Sequence, residues 1–289
     1  MIVKLPIPIK AGAHIVKSID LGRPKVGGIT DASEQFNEGN PYKGFERLIG
    51  PCIKKAYSAG DVEINDAICS GLAGKMSSRT AALVATLIAS DLAGTDKISG
   101  NYTCGECGHV SHHRETDEGD GRISLEDLHV GYANDPVEEI TLRLKYPIKI
   151  NRNKDGIDAP FTVIEMIFKV PTLEDSIVNS GKFGIPLKAA NSETSTWIGC
   201  IKSITTECPE QAEEITNTWK CAYGKSVFAL MDVVDRDALS EISEEYGLDP
   251  TLTVACPNCG EETDHNVNVN VFFSALVGRR KRKKRRGTL

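Results

Sequence analysis

The sequence lacks the long apolar run and the leader that mark membrane and secreted proteins. Its longest uncharged apolar run, residues 80–90, is far below the roughly 20 residues that a membrane-spanning helix requires. Met1 opens a short run that is interrupted by proline, and no small-residue cleavage site follows it. We therefore expect a chain that is made in the cytoplasm and has no contact with a membrane.

Motifs of familiar enzymes are also missing. The chain contains no Gly-x-Ser-x-Gly and no His-Glu-x-x-His. Residues 71–76 resemble a phosphate-binding loop, but the glycine spacing is short and Met76 stands where a metal-binding hydroxyl is needed. Residues 151–156 resemble the start of a calcium loop, but Thr162 stands where a bidentate glutamate is needed. We predict that the protein is not an enzyme and has no small-molecule substrate.

Aromatic residues make up only 6% of the chain, and its basic residues are concentrated at one end. Eight of the 34 lysines and arginines are consecutive, so residues 1–278 carry 26 basic against 40 acidic residues, a net charge of −14. An acidic body with few aromatic rings excludes a general nucleic-acid-coating surface. Contact with nucleic acid is predicted only for the basic tail, and the alternatives are that the tail binds an acidic protein groove or is solvated without a partner. The candidate partner-binding residues are Phe272, Phe273, Arg279, Arg280, Lys281, Arg282, Lys283, Lys284, Arg285 and Arg286.

Apolar periodicity predicts an α+β chain. Alternating apolar and polar residues predict strands over residues 2–9, 15–21, 140–150, 161–170 and 267–273. Pro6 and Pro8 assign the first of these strands to a sheet edge. Apolar spacings of three and four predict helices over residues 45–57, 77–94, 173–180, 209–217 and 234–246. Residues 22–42, rich in glycine and asparagine, are predicted to form loops.

An internal repeat divides the chain into two similar halves, each with a β-hairpin, helices and a Cys-x-x-Cys knuckle, joined by a zinc-ribbon-like centre. The segment Lys-Leu-Pro-Ile-Pro-Ile at residues 4–9 matches Lys-Tyr-Pro-Ile-Lys-Ile at residues 145–150, and each begins a hairpin. Each half then ends in Cys-x-x-Cys-Gly. The predicted segments are a hairpin arm (1–30), a helical region (31–100), the first knuckle and its loop (101–135), a hairpin with helices (136–250), the second knuckle and a strand (251–278) and the basic tail (279–289).

Four of the nine cysteines have the spacing of metal ligands. Cys104 with Cys107, and Cys256 with Cys259, each place two thiolates within reach of one ion and are followed by a glycine that permits the tight turn. In a reducing compartment, an odd number of cysteines argues for metal binding or burial and against disulfides. We predict structural zinc.

Two arrangements of the metal remain open. One ion on Cys104, Cys107, Cys256 and Cys259 would staple the two halves together, and this is the arrangement that we favour. Separate ions would need histidine ligands, from His109, His112 or His113 at the first knuckle and from His265 at the second. The other five cysteines have no such spacing and are predicted to be buried: Cys52, Cys69, Cys200, Cys208 and Cys221.

These motifs, taken in order, resemble the zinc-knuckle baseplate hub and tail-assembly proteins of T-even-type contractile-tailed bacteriophages. The resemblance covers roughly residues 45–275. Besides the two knuckles, it rests on a strand with aspartate and leucine (123–128), the Tyr-Pro-Ile hairpin, the segment Phe-Lys-Val-Pro-Thr-Leu-Glu-Asp (168–175) and Phe272-Phe273. It implies a non-enzymatic role in building the hub, with other baseplate and tail proteins as partners and the virion tail as location. Both a hub component and an assembly chaperone absent from the mature virion are consistent with it.

Overall fold

A computed structural model describes residues 1–58, 62–64, 69, 71–113, 115–116, 119–120, 122–156, 159–183, 189–207 and 215–267. Several predictions lie outside these residues: the basic tail, Phe272 and Phe273, Cys208, the helix over residues 209–214 and the strand from residue 268 onwards. The fold is α+β, as predicted. We refer to residues 1–135 as the first half and to residues 136–267 as the second half.

The first half consists of an antiparallel sheet, three helices and a set of short hairpins. Its elements are β1 (Ile2–Ala11), β2 (His14–Leu21), α1 (Val26–Asn37), α2 (Pro41–Ile49), β3 (Ile53–Tyr57), β4 (Glu63–Ile64), α3 (Ser78–Ala93), β5 (Lys97–Ile98), β6 (Gly100–Thr103), β7 (Val110–His113), β8 (Glu115–Thr116), β9 (Gly119–Asp120), β10 (Ile123–Ser124) and β11 (Val130–Gly131). The sheet has the strand order β1-β2-β3-β4, so the proline-containing strand lies at the edge, as predicted.

The second half repeats this plan with a three-stranded sheet in the order β12-β13-β14. Its elements are β12 (Glu139–Ile150), β13 (Phe161–Lys169), α4 (Leu173–Asn179), α5 (Ala189–Cys200), β14 (Ile201–Thr206), α6 (Asn217–Trp219), a π-helical turn (Lys220–Gly224), α7 (Lys225–Leu230), α8 (Val233–Glu244), β15 (Gly247–Leu248), β16 (Thr251–Ala255) and β17 (Glu262–Asn266). In both halves two helices connect the second strand to the third, so the predicted two-half architecture is confirmed.

Helix α3 is the longest helix, and its ends are those that the sequence predicts. The side chain of Ser77 accepts a hydrogen bond from the backbone N–H of Thr80, and Gly94 ends the helix with φ of +70°. Half of its sixteen residues are buried, and among them Val84 and Ile88 belong to the same core as the first sheet. In the part of the chain that the structure describes, no helix combines the length and the apolar character needed to cross a membrane.

The strand registers show which residues of the two halves are equivalent. In the first half, four residues of β1 (5–8) lie opposite a single residue of β2, Lys17. In the second half, four residues of β12 (144–147) lie opposite a single residue of β13, Ile164. This shared bulge aligns Leu-Pro-Ile-Pro-Ile-Lys (5–10) with Leu-Lys-Tyr-Pro-Ile-Lys (144–149). The repeat that the sequence predicted is therefore real, but its predicted alignment was wrong by two residues.

The third strands of the two sheets agree with this alignment. The pairing of β2 with β3 skips Lys54, and the pairing of β13 with β14 skips Lys202. The segment Cys-Ile-Lys consequently occupies the same place in both halves, at residues 52–54 and 200–202.

The two halves are joined by the pairing of β15 with β11 and through the N-terminus of α4. Leu173 is completely buried and belongs to the core of the first half. Its backbone N–H donates to the carbonyl of Met76, and the N–H of Glu174 donates to the carbonyl of Gly74, both at 2.8 Å. Thr172, the cap of α4, pairs with Ser77, the cap of α3. This junction involves no cysteine.

Two predictions about the first 60 residues were wrong. The N-terminal hairpin is not a separate arm, because β2 pairs with β3 in a common sheet. The predicted loop over residues 22–42 contains α1, which packs on α2 through the rings of Phe36 and Phe45 at 5.3 Å. Gly44 permits this contact, since a Cβ there would meet the Phe36 ring.

Two further elements end earlier than predicted. The helix expected over residues 45–57 stops at Ile49, because Pro51 cannot continue it, and Ile53–Tyr57 becomes β3. The strand expected over residues 123–128 is a strand only at Ile123–Ser124. A 3-10 turn capped by Ser124 follows it.

Candidate metal centre

The first knuckle lies at the turn of the hairpin formed by β6 and β7. The backbone N–H of Cys104 donates to the carbonyl of His109 at 2.9 Å, and the N–H of Gly108 donates to the carbonyl of Cys104 at 3.0 Å. Gly108 has φ of +69°, a conformation that residues with a Cβ rarely adopt. The glycine after the second cysteine is therefore required by the turn.

The second knuckle has the same geometry at the turn between β16 and β17. The N–H of Cys256 donates to the carbonyl of Glu261, and the N–H of Gly260 donates to the carbonyl of Cys256, both at 2.8 Å. Gly260 has φ of +78°. Local sequence alone thus determines each knuckle in the same way.

The fold brings the two knuckles together. All four Sγ atoms lie within 4.8 Å of one another. The shortest distances join different knuckles: 3.7 Å between the Sγ atoms of Cys104 and Cys259, and 3.6 Å between those of Cys107 and Cys256. An ideal tetrahedral site with metal–sulfur bonds of about 2.3 Å places its sulfurs about 3.8 Å apart. The four cysteines therefore fit one metal ion, as predicted.

Each knuckle contributes one buried and one exposed cysteine. Cys104 and Cys256 are buried, and Cys107 and Cys259 are exposed. The side-chain amide of Asn258 in the second knuckle donates to the Sγ atom of Cys107 in the first, at 3.6 Å. Asn258 is not among the site residues predicted from the sequence, although an amide between the two cysteines of a knuckle is placed to stabilise a thiolate.

Two of the four sulfurs have pKa values that are shifted in opposite directions. The backbone N–H of His109, followed by the Asn258 amide, lowers the pKa of Cys107 to about 6 by stabilising its thiolate. At Cys259 the N–H of Glu261 acts to lower the pKa, but hydrogen bonds with the other thiols, that of Cys107 foremost, raise it to about 12. Without a metal ion, the pKa values of Cys107 and Cys259 therefore lie far apart. A bound divalent cation would favour the thiolate form of all four.

The histidines near the knuckles do not join the sulfur cluster. His112 hydrogen-bonds Asn101 through Nδ1 at 2.8 Å. The ring of Tyr102 packs against His113 at 5.0 Å and against His265 at 4.8 Å. Among the described residues, the group of metal-ligating side chains at this centre contains only the four cysteines. Separate sites with histidine ligands are therefore not formed.

Three of the other cysteines are buried, as predicted: Cys52, Cys69 and Cys200. Cys221 is exposed, so the prediction that it is buried was wrong. It lies in the π-helical turn, where the buried positions are taken by Ala222, Tyr223 and Gly224. Cys208 and the candidate partner-binding residues of the tail lie outside the described part of the chain.

Comparison of the chain with models of protein families, with curated proteins and with solved structures finds no significant match.

Proposed function

We propose that this chain is a non-enzymatic structural or assembly component of the baseplate hub of a contractile-tailed bacteriophage, in which one structural zinc ion fastens the two halves. The observation that supports the metal site is the convergence of four sulfurs, two from each half, within 4.8 Å. Four protein ligands fill a tetrahedral coordination sphere and leave no position for water or substrate. The ion therefore has a structural and not a catalytic role.

Zinc is proposed over other metals because of the donor set. Four thiolates in tetrahedral geometry suit zinc or iron, and thiolates disfavour magnesium and calcium. When bound, the ion supplies folding free energy to the knuckles. The knuckles need it because their exposed residues, such as Glu106, Asn258 and Glu261, provide no apolar core.

The hub assignment is supported by the resemblance of the motifs to the T-even-type baseplate family. One of these motifs, Pro-Thr-Leu-Glu-Asp at residues 171–175, builds the cap and first turn of α4 and so forms the junction between the halves. The partners would be other baseplate hub and tail proteins, assembled in the host cytoplasm and retained in the virion tail.

Metal content tests the shared site. We expect elemental analysis of the purified protein to find one zinc ion per chain. Cys256→Ser should abolish zinc binding, whereas Cys221→Ser, at an exposed cysteine outside the cluster, should leave it unchanged. Two ions per chain would contradict the shared site, and no metal would contradict both arrangements.

The protein composition of purified tails tests the hub assignment. We expect this chain in the mature tail, together with its hub neighbours. Its presence only in complexes that precede the finished tail would identify an assembly chaperone. If the chain associates with tail proteins at neither stage, the hub assignment is wrong, whatever the metal content.

A nucleic-acid-binding function is the alternative, and the charge of the two hairpins that carry the knuckles opposes it. These ribbons, residues 100–113 and 251–267, contain Glu106, Glu261, Glu262 and Asp264 but neither lysine nor arginine. Phosphate contacts would have to come from residues 279–286. Binding would then weaken steeply with rising salt and would be lost on deletion of residues 279–289. Binding that survives this deletion would show that the body contacts nucleic acid.

A further inference from the structure

A cavity of about 490 Å³ lies between the two halves and shares no residue with the metal centre. Its first wall comes from the bulged part of β1 and the turn before α3. Its second wall comes from the end of β13, the start of β14 and the start of α4. Residues 136–138, which lead into β12, close one side. The lining residues are Ile7, Pro8, Ile9, Lys10, Lys75, Ser77, Pro136, Val137, Glu138, Lys169, Val170, Thr172, Glu174 and Lys202.

Part of the wall of this cavity is aliphatic. Six apolar residues line it and none of its lining residues is aromatic, so it offers no surface on which a nucleic acid base could stack. Its volume is in the range of roughly 300–1,000 Å³ that is typical of small-molecule sites, which occur preferentially between domains. The cavity therefore suits a small molecule with an aliphatic body.

Four lysines and two glutamates supply the polar part of the cavity. Lys10 pairs with Glu138 at 3.0 Å, Lys169 pairs with Asp175 at 2.8 Å, and Lys202 pairs with Glu139. The side chains of Lys10, Lys169 and Lys202 are 63%, 51% and 50% exposed, so each pair contributes little and exchanges partners easily. The side chain of Lys75 makes no hydrogen bond or ion pair within the described part of the chain, although its backbone N–H donates to the carbonyl of Leu72.

The internal repeat shows that part of this charge is specific to the cavity. The residue equivalent to Lys169 in the first half is Gly22, at the end of β2. Lys10 has an equivalent, Lys149, which does not line the cavity. Four lysines against two glutamates thus line the cavity, in a body whose net charge is −14, with 26 basic against 40 acidic residues over residues 1–278.

We propose that this cavity binds a small organic anion, a carboxylate with an aliphatic body. The carboxylate lies on the ammonium of Lys75, within the field of Lys10, Lys169 and Lys202. The aliphatic body packs on the side chains of Ile7, Ile9 and Val170. This site is independent of the proposed zinc and of the hub assignment.

Titration of the zinc-loaded, full-length protein with octanoate tests the site. We expect calorimetry to detect binding, and the amide NMR signals of residues 7, 9–10, 75–77, 169–170 and 172–174 to shift. Acetate lacks the aliphatic body and octylammonium lacks the negative charge, so both should bind far more weakly. Lys75→Gln should weaken octanoate binding by about tenfold or more, the loss expected for one charge-assisted hydrogen bond.

Three further variants separate binding from a structural effect. Lys10→Gln should weaken binding, and Lys149→Gln, the equivalent change outside the cavity, should leave it unaltered. Glu138→Gln should tighten binding, because it removes a negative charge and releases Lys10. Absence of octanoate binding, equal binding of octylammonium, or equal effects of Lys10→Gln and Lys149→Gln would overturn the proposal. Unchanged zinc content in every variant keeps these results distinct from a failure of the metal centre.

Discussion

At the scale of single residues, Cys52 and Cys200 show how the two halves preserve a buried thiol. The two residues are equivalent, each preceding the third strand of its sheet. Burial raises the pKa of Cys52 to about 11 and that of Cys200 to about 12. Both thiols are consequently protonated at neutral pH and are unsuited to bind metal or to act as nucleophiles. The prediction that Cys52 and Cys200 are buried thiols is therefore confirmed.

The raised pKa of Cys52 predicts a loss of stability at alkaline pH. The free thiol of the unfolded chain ionises near pH 8.5, whereas that of the folded protein ionises near 11. The contribution to the free energy of unfolding is complete below about pH 8.5 and is lost as pH rises towards 11, up to about 2–3 kcal/mol. Urea unfolding of Cys52→Ala from pH 8 to 11 should therefore show a shallower decline than the unmodified protein.

Leu48→Ala is the control for this alkaline effect. It removes a buried neighbour of Cys52 that does not titrate, so it should lower stability by a similar amount at every pH. A Cys52→Ala curve that runs parallel to that of the unmodified protein would contradict the role of the thiol.

At the scale of elements, the two halves deal in different ways with the backbone N–H groups of the bulge that β1 and β12 share. In β12 the backbone N–H groups of Lys145 and Tyr146 donate to the carboxylate of Asp235 on α8, at 2.7 and 3.1 Å. In β1 the residue equivalent to Lys145 is Pro6, which has no N–H to satisfy. Proline in one half thus removes one of the two donors that a buried aspartate satisfies in the other.

Asp235→Ala should destabilise the second half by about 2–4 kcal/mol, because two partly buried N–H groups lose their charged acceptor. Asp237→Ala, an exposed position on the same helix, should change the free energy of unfolding by less than about 0.5 kcal/mol. Adding Lys145→Pro to Asp235→Ala should restore part of the loss, since it removes one of the two unsatisfied donors. Urea unfolding of the three variants measures these differences. A double variant with a lower free energy of unfolding than Asp235→Ala would contradict the equivalence of the bulges.

At the scale of the whole molecule, the halves are held by two kinds of joint. One is the sulfur cluster. The other contains no cysteine and consists of the insertion of Leu173 into the core of the first half beside the Ser77–Thr172 pair, together with the pairing of β15 with β11, which buries Leu248 in the same core. Removal of the metal by a chelator should expose the ribbons at residues 100–113 and 251–267 to proteases. Both cores should stay resistant, because the second joint does not depend on metal. Limited proteolysis followed by mass spectrometry measures the order of cleavage.

Leu173→Ala is the complementary perturbation of the second joint. It should cost about 2–4 kcal/mol, as for other buried leucines, and should leave zinc content unchanged. Digestion of both cores as soon as the metal is removed would contradict two independent joints and would make the metal essential to the whole fold.

The sequence by itself determined the features that depend on neighbouring residues. The two-residue gap and the following glycine define each knuckle, and Ser77 and Gly94 define the ends of α3, because the conformations involved extend over only a few residues. The tertiary structure decided what depends on distant partners. It placed the cysteines of both knuckles in one cluster, kept α1 helical through the contact of Phe36 with Phe45, and set the bulge that shifts the repeat alignment by two residues. Burial against another part of the chain supplies the free energy for these features, and a local pattern cannot specify which part that is.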